Sequence, residues 1–208
     1  MTTELQSTLF PIAWTLGSYL IGSISSAVIV SKLFRLDDPR TVGSSNPGAT
    51  NVLRSGNKVA AAITLLGDLA KGLIPVLLAQ HYGQSIAVIS LVAIAAFIGH
   101  LYPIFFGFKG GKGVATAIGV FTALSWKLVT VFVLVWILVA AISRYSSLAA
   151  LLASGITGIA SFAIFNQEHE LQLIGAIFMI VAFLFKRHRE NIDRLKSGTE
   201  TKIGAKKT

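Results

Sequence analysis

The first long run without a charged side chain covers residues 5–31 of this 208-residue chain. A helix that crosses a lipid bilayer needs about 20 consecutive, mostly apolar residues. The run is also too long for the apolar core of a signal peptide, which is about 7–15 residues. We therefore expect it to remain in the mature protein as a membrane-spanning helix.

The composition of the whole chain agrees with a bilayer as its solvent. Hydrophobic residues make up 53% and charged residues 13% of the chain, whereas a soluble domain carries about 25% charged residues. The absence of cysteine excludes disulfides, thiolate chemistry and zinc–cysteine sites. We expect no metal, no cofactor and no nucleic acid, and a monomer in contact with membrane lipid.

Six further apolar segments follow the first, separated by polar or glycine-containing turns. The seven predicted spans are residues 9–31, 60–80, 86–106, 114–126, 128–143, 147–165 and 171–186. The fourth is the weakest, because so short a helix extends only about 20 Å, less than the roughly 30 Å of the hydrocarbon core. The spans are predicted to form one polytopic membrane domain over residues 1–196, followed by a flexible cytoplasmic tail over residues 197–208.

The distribution of basic residues orients these spans. With seven crossings, sixteen of the eighteen Lys and Arg residues fall on one side. Merging the fourth and fifth spans would instead place Arg144 and the basic tail on the opposite side. Because cytoplasmic loops carry an excess of Lys and Arg, the sequence predicts an all-α protein with seven transmembrane helices, the N-terminus outside and the C-terminus in the cytoplasm.

Three polar clusters then fall on the cytoplasmic side, and the first is the loop of residues 42–54, here called the first loop. Its candidate ligands are Ser44, Asn46, Thr50, Asn51 and Arg54. Neutral hydrogen-bonding groups with one guanidinium suit a small phosphorylated polyol, since Arg offers phosphate a bidentate fork. An ordinary polar loop with Asn and Gly turns explains the composition equally well.

The second cluster, here called the glycine loop, covers residues 107–113 and opens the fourth span. Its candidate ligands are Lys109, Gly110, Gly111, Lys112 and Gly113. Free backbone N–H groups at a helix start, together with a lysine, favour an anion such as phosphate. The spacing is not that of a Walker A loop, and a simple turn between spans is the alternative.

The third cluster lies where the last span leaves the membrane. His188, Asn191 and Arg194 are three residues apart, so they are predicted to share one helix face. The basic flank of a final span accounts for the neighbouring charges but not for His188 and Asn191. His188 and Asp193 also show the His-x4-Asp spacing of another acyltransferase family, but five helical residues place such side chains about 140° apart.

Asp68 and Lys71 are ionisable residues inside the second span. Such residues are costly in a membrane, so they pair with each other or serve function. We expect a structural pair, and a role in shaping the floor of a pocket is the alternative.

Together these segments resemble the bacterial acyl-phosphate:glycerol-3-phosphate acyltransferase family of the PlsY type. The resemblance covers residues 17–23, 43–51, 68–72, 99–103, 108–116 and 188–191. It implies a seven-helix enzyme of the bacterial inner membrane whose active site faces the cytoplasm. The implied reaction moves a fatty acyl group from acyl phosphate to the sn-1 hydroxyl of glycerol-3-phosphate, forming lysophosphatidate and phosphate in phospholipid biosynthesis.

The resemblance also assigns roles to residues. It implies that glycerol-3-phosphate is held by Ser44, Arg54, Lys112 and Asn191, and acyl phosphate by Gly110, Gly111, Gly113 and His188. His188, Lys112 and Asn191 are the expected catalytic residues. Without Cys or an evident Ser-His-Asp set, transfer is expected to be direct, without an acyl-enzyme. Either the donor phosphate or His188 could act as the base.

Two other functions fit the sequence less well. An anion channel or transporter needs polar residues along a path to both faces, whereas the polar clusters here crowd one side. A purely structural membrane protein leaves the set of Arg54, Lys112, His188 and Asn191 unexplained.

Overall fold

The computed structural model describes the backbone from Thr2 to Gly204 and the side chains of residues 9–204 except that of His169. Every regular element in this range is helical, which confirms the predicted all-α class. The last four residues of the predicted tail, 205–208, lie outside the described residues. The chain forms two compact units, residues 1–124 and residues 125–208.

The first unit contains the helices that carry the first two clusters. Its α-helices are α1 (Thr2–Gly22), α2 (Ser26–Leu33), α3 (Ala49–Leu53), α4 (Lys58–His81), α5 (Ile86–Leu101) and α6 (Val114–Leu124), and a 3-10 turn covers Ile104–Phe106. The predicted span 9–31 is thus two helices, α1 and α2, with a break at residues 23–25. The predicted span 114–126 coincides with α6, which has only 11 residues.

Small residues bring the helices of the first unit close together. A Cβ on Gly22 of α1 would overlap the carbonyl oxygen of Ala96 in α5, and one on Gly99 of α5 would overlap that of Tyr19. The same relation holds between α4 and α6, where Gly72 faces the carbonyl oxygen of Thr116. In lipid, where apolar helices gain little from avoiding water, such close backbone approach supplies the packing energy.

The second unit carries the third cluster. Its helices are α7 (Trp126–Ser143), α8 (Ser146–Ile164), α9 (Leu171–Arg187) and α10 (Arg189–Lys196), with a 3-10 turn at Glu168–Glu170. Large apolar side chains point outward from α7, as at Leu134, Leu138 and Ile142, which are 62%, 60% and 77% exposed. Apolar surface of this extent is expected where lipid is the solvent.

Five segments of the described chain are long and apolar enough to cross a bilayer. They are Leu9–Leu33, Lys58–His81, Ile86–Phe106, Trp126–Ser143 and Ser146–Ile164, and the bent pair α9 and α10 brings the number to as many as six. The short helix α6 is apolar as well. The protein is therefore an all-helical integral membrane protein.

Candidate active site

The first loop is built around the buried side chain of Asn51. Its amide nitrogen donates to the carbonyl oxygens of Pro39 (2.7 Å) and Val42 (3.0 Å). Its amide oxygen accepts from the backbone N–H of Ser44 (2.9 Å). Both amide hydrogens are thereby used in hydrogen bonds to backbone carbonyl oxygens. The geometry favours a loop-shaping role for Asn51 over the predicted role as a substrate ligand.

The other candidate ligands of the first loop lie nearer to its surface. Ser44, Thr50 and Arg54 are exposed, and Asn46 is half-buried. An exposed guanidinium can offer a phosphate two parallel N–H donors. The first loop therefore presents hydroxyl, amide and guanidinium groups outward from a frame held by one buried amide.

A bidentate ion pair lies just ahead of the first loop. The Arg40 guanidinium donates through Nε to Oδ1 of Asp38 (3.0 Å) and through Nη2 to Oδ2 (2.6 Å). These hydrogen bonds lower the pKa of Asp38 and raise that of Arg40. The guanidinium carbon also lies 6.0 Å from the ring centroid of Phe106. The ion pair thus links the segments that lead into the first loop and the glycine loop.

The glycine loop is packed too tightly for side chains at three of its positions. A Cβ on Gly110 would overlap the carbonyl oxygens of His100 and Leu101. A Cβ on Gly111 would overlap the imidazole Nε2 of His100 and lie 3.0 Å from the carbonyl oxygen of Pro47. Gly113 has a φ of +85°, and a Cβ there would overlap the ring of Phe97. The backbone N–H of Gly111 donates to the carbonyl oxygen of His100 (3.2 Å). Through Pro47, the glycine loop and the first loop come together.

The glycine loop also forms the start of a helix, because α6 begins at Val114. The first N–H groups of a helix have no acceptor within it, and the helix dipole favours negative charge at that end. Lys112 is half-buried in this loop, Lys109 is exposed and Gly110 is buried. Backbone donors, dipole and lysine together make this loop suited to an anion.

Asp68 and Lys71 form a buried ion pair inside α4. The ammonium nitrogen of Lys71 lies 2.9 Å from Oδ1 of Asp68. The same carboxylate oxygen lies 3.7 Å from Nδ1 of His100. Lys71 also donates to the carbonyl oxygen of Ile24 (2.8 Å), in the break between α1 and α2. Each member of the pair therefore has a second partner outside α4.

The helix that carries the third cluster is bent at His188. The axes of α9 and α10 differ by 57°, so the continuous helix face predicted for His188, Asn191 and Arg194 is interrupted. The buried His188 ring turns back onto α9, where Nδ1 lies 2.8 Å from the carbonyl oxygen of Leu184. In the neutral ring, Nδ1 is then the donor and Nε2 the acceptor. Asp193 is exposed on α10, so the His-x4-Asp spacing gains no support.

Glu200 joins Asn191 and Arg194, and the sequence reasoning missed it. One carboxylate oxygen accepts from Asn191 Nδ2 (2.7 Å) and Ser147 Oγ (2.7 Å), and the other accepts from Arg194 Nε (2.7 Å). Burial alone would raise the pKa of Glu200, but these hydrogen bonds and the Arg194 charge lower it below its usual value. The available sequence signal was that Glu200 is the single acidic residue after Asp193.

The segment after α10 folds back against the turn between α7 and α8. The backbone N–H of Ile203 donates to the carbonyl oxygen of Arg144 (2.7 Å), and the Arg144 guanidinium donates to the carbonyl oxygen of Ile203 (3.1 Å). The ammonium of Lys202 lies 5.7 Å from the ring centroid of Tyr145. Together with Glu200, these contacts place the described part of the predicted tail beside Asn191 and Arg194.

Sequence comparison adds relatives with a common description. The family model described as glycerol-3-phosphate acyltransferase matches residues 12–198. A glycerol-3-phosphate acyltransferase of Methylobacillus flagellatus is 51% identical over 193 residues, which cover 93% of this chain and 97% of the relative. One from Bordetella petrii is 54% identical over 196 residues, covering 91% and 92% of the two chains.

Structural comparison points the same way. A crystal structure of PlsY (YgiH), an integral membrane glycerol 3-phosphate acyltransferase in its glycerol 3-phosphate form, matches with a TM-score of 0.87 at 38% identity. The match covers 93% of this chain and 96% of that one. The lysophosphatidic acid form of PlsY matches with a TM-score of 0.85 at 37% identity. On the family model and these relatives, this chain belongs to the glycerol-3-phosphate acyltransferase family.

Proposed function

We propose that this protein transfers a fatty acyl group from acyl phosphate to the sn-1 hydroxyl of glycerol-3-phosphate, producing lysophosphatidate and phosphate for phospholipid biosynthesis. The observation that carries the proposal is the contact between the glycine loop and the first loop through Gly111 and Pro47. It brings an anion-binding helix start beside a loop with exposed hydroxyl and guanidinium groups. Membership of the family and its likeness to the two PlsY forms support the same activity.

In this proposal the first unit binds both phosphate groups. The loop that contains Gly110, Gly111 and Gly113 holds the phosphate of the donor at the start of α6, and the bond from the Gly111 N–H to the carbonyl oxygen of His100 shapes that loop. Lys112 neutralises charge between the two substrates, and Arg54 with Ser44 holds glycerol-3-phosphate. Asn46, Thr50 and Lys109 lie beside these groups in sequence and supply further contacts.

The roles of His188 and Asn191 in this proposal rest on the resemblance of residues 188–191 to the family. Because Nδ1 of His188 faces the carbonyl oxygen of Leu184, the neutral ring offers Nε2 as its acceptor. Asn191 is held by Glu200, which supports a fixed amide orientation for contact with glycerol-3-phosphate. Arg194 shares that carboxylate and extends the same polar surface.

The proposed chemistry is a single displacement. The sn-1 oxygen of glycerol-3-phosphate forms a bond to the acyl carbonyl carbon, and the bond from that carbon to the phosphate oxygen breaks. Phosphate leaves with the bonding electrons, and the hydroxyl proton passes to a phosphate oxygen of the donor or to Nε2 of His188. The anhydride already has a stabilised leaving group, so the protein mainly has to position the reactants and stabilise negative charge.

We further propose seven crossings, with the N-terminus outside and the active site at the cytoplasmic face of a bacterial inner membrane. The one-sided distribution of Lys and Arg supports this orientation. A site at that face meets a donor whose chain lies in lipid and an acceptor that arrives from the cytosol. The basic loops raise the local concentration of both anions.

The decisive experiment combines purified protein in detergent or vesicles with acyl phosphate and labelled glycerol-3-phosphate. We expect labelled lysophosphatidate, together with one equivalent of inorganic phosphate. Replacing the donor by an acyl thioester of the same chain length is the matched control and is expected to give no product. Product from the thioester but not from acyl phosphate would overturn the proposed donor.

Steady-state kinetics test the single displacement. We expect intersecting lines when both substrates are varied and no acyl-enzyme in a quenched reaction. Parallel lines, or an acyl group retained on the chain, would contradict direct transfer. His188→Ala distinguishes the two bases, since a rate unchanged from that of the parent protein assigns the proton to the donor phosphate.

A further inference from the structure

The ion pair inside α4 has more partners than mutual neutralisation requires. Asp68 and Lys71 are 3% and 6% exposed and lie within a segment apolar enough to cross the bilayer. Ionisable groups at such positions are costly and are usually retained for a function. Replacing a buried ion pair by apolar residues is often neutral or stabilising, so the pair is weak evidence for a stability role.

One end of this ion pair reaches the break in the first span. Lys71 donates to the carbonyl oxygen of Ile24, which lies between the last residue of α1 and the first residue of α2. Carbonyl groups at the end of a helix lack the intrahelical partners that the helix interior supplies. The ammonium therefore satisfies a backbone acceptor that the break exposes inside the membrane.

The other end reaches the glycine loop through His100. Asp68 lies 3.7 Å from Nδ1 of the buried His100 ring. On the opposite edge of the ring, Nε2 lies so close to Gly111 that a Cβ there would overlap it. The carbonyl oxygen of His100 also accepts the backbone N–H of Gly111. Any movement of the His100 ring therefore displaces the backbone of Gly111.

We propose that Asp68, Lys71 and His100 form a positioning network that fixes the glycine loop relative to the break between α1 and α2. The network sets the direction of the loop amides that receive the donor phosphate. This inference rests on the proposed function, in which that loop binds acyl phosphate. It assigns the three residues a role in donor binding, although none of them touches the substrate.

Two variants separate this role from mutual neutralisation. Asp68→Leu/Lys71→Leu removes both charges together, so that neither is left unpaired in the membrane. His100→Phe keeps an aromatic ring beneath Gly111 but removes Nδ1, and it leaves the ion pair intact. Thr64→Val is the matched control, because Thr64 is a buried polar residue of α4 whose hydroxyl donates to Ala60 within the same helix.

We expect both network variants to raise the KM for acyl phosphate about tenfold or more, as displacement of a binding loop does. The KM for glycerol-3-phosphate should change much less, and the Tm should stay within the range set by Thr64→Val. An unchanged KM for acyl phosphate in Asp68→Leu/Lys71→Leu would show that the two charges only neutralise each other. Equal rises in both KM values would also overturn the proposal, since they indicate general loosening.

A second measurement keeps the inference separate from the proposed function. Inorganic phosphate that binds the glycine loop should raise the Tm of the parent protein, and the network variants should lose this shift. A parent protein inactive with acyl phosphate refutes the proposed function, while this comparison still tests the network. If a variant does not fold, Asp68→Asn replaces it, because it keeps an acceptor oxygen for Lys71. An unchanged phosphate shift in Asp68→Asn would then count against the network.

Discussion

At the scale of single residues, the charge of Lys112 is the feature on which the proposed chemistry depends most. Lys112→Ala should lower kcat/KM by about 10²-fold, the size of effect seen when one donor to a developing negative charge is lost. Its Tm should remain near that of the parent protein, because the half-buried Lys112 side chain lies in a loop and outside the buried core. Lys58→Ala removes a charge outside the site and is the matched control. Equal activities of the two variants would contradict the role of Lys112.

Glu200 gives a prediction about pH. Its carboxylate has a lowered pKa in the folded protein, so its stabilising contribution is complete above the pKa of the unfolded chain. That contribution is lost as the pH falls through the lower, folded value. Glu200→Gln should lower the free energy of unfolding by about 1–3 kcal/mol at neutral pH. The loss should shrink below about pH 4.

Thermal unfolding of both proteins between pH 3 and pH 7 checks this prediction. The difference in Tm should shrink toward the acidic end, because an increasing fraction of Glu200 in the parent protein is protonated there. A constant difference across the range would mean that the charge of Glu200 contributes nothing to the stability of the fold.

Two residues of the first loop explain why sequence alone separates ligands from supports so poorly. In the sequence, Asn51 and Arg54 are both polar groups suited to a substrate. In the structure, Asn51 is buried and its amide donates to backbone carbonyl oxygens, whereas Arg54 is exposed. The difference depends on which way the loop turns back on itself. Residue types alone do not carry that information, and the tail residue Glu200 was missed for the same reason.

At the scale of elements, the glycine loop depends on the absence of a side chain at Gly111. Gly111→Ala should lower the free energy of unfolding by about 1–3 kcal/mol, because the new methyl group must displace the His100 ring or the Pro47 carbonyl. The KM for acyl phosphate should rise with it. Gly175→Ala is the matched control, since no atom lies within 4 Å of a Cβ added there. Wild-type stability in Gly111→Ala would show that the loop is looser than the contacts imply.

The element boundaries show which features of the fold hydropathy predicts and which it does not. Apolar runs indicated where the helices α4, α5, α7 and α8 lie, since length and composition suffice for regular spans. They did not indicate the break at residues 23–25 or the bend at His188. Both occur within otherwise apolar or basic stretches, where contacts from elsewhere in the fold, such as Lys71 to Ile24, satisfy the backbone groups.

At the scale of the whole molecule, the proposed topology depends on whether the short helix α6 crosses the membrane. The chain has no cysteine, so every introduced cysteine is unique. Gln84→Cys and Ser125→Cys should react with an impermeant thiol reagent from outside the cell. Thr41→Cys and Ser197→Cys should react only after the membrane is opened. If Ser125→Cys does not react from outside the cell, α6 does not cross the membrane and the predicted seven crossings are wrong.

The general class could be predicted because the bilayer imposes a strong pattern on any chain that crosses it. Long apolar runs and one-sided basic loops are needed whatever the function. The helices of the structure confirm the all-helical class. The family model confirms the family. The links among Asp68, His100 and Gly111 could not be predicted, because they join residues far apart in sequence through helix packing.

The contact of Gly113 with Phe97 also indicates how deep the glycine loop lies in the membrane. Phe97 is about 17 Å along α5 from Ile86, and α6, with its 11 residues, extends a similar length beyond Gly113. In the proposed topology both lengths are measured from the outer surface. The floor of the glycine loop then lies roughly 13 Å below the inner edge of a 30 Å hydrocarbon core. Glycerol-3-phosphate would have to descend into a well in the membrane, and the acyl donor could react without lifting its chain out of the lipid.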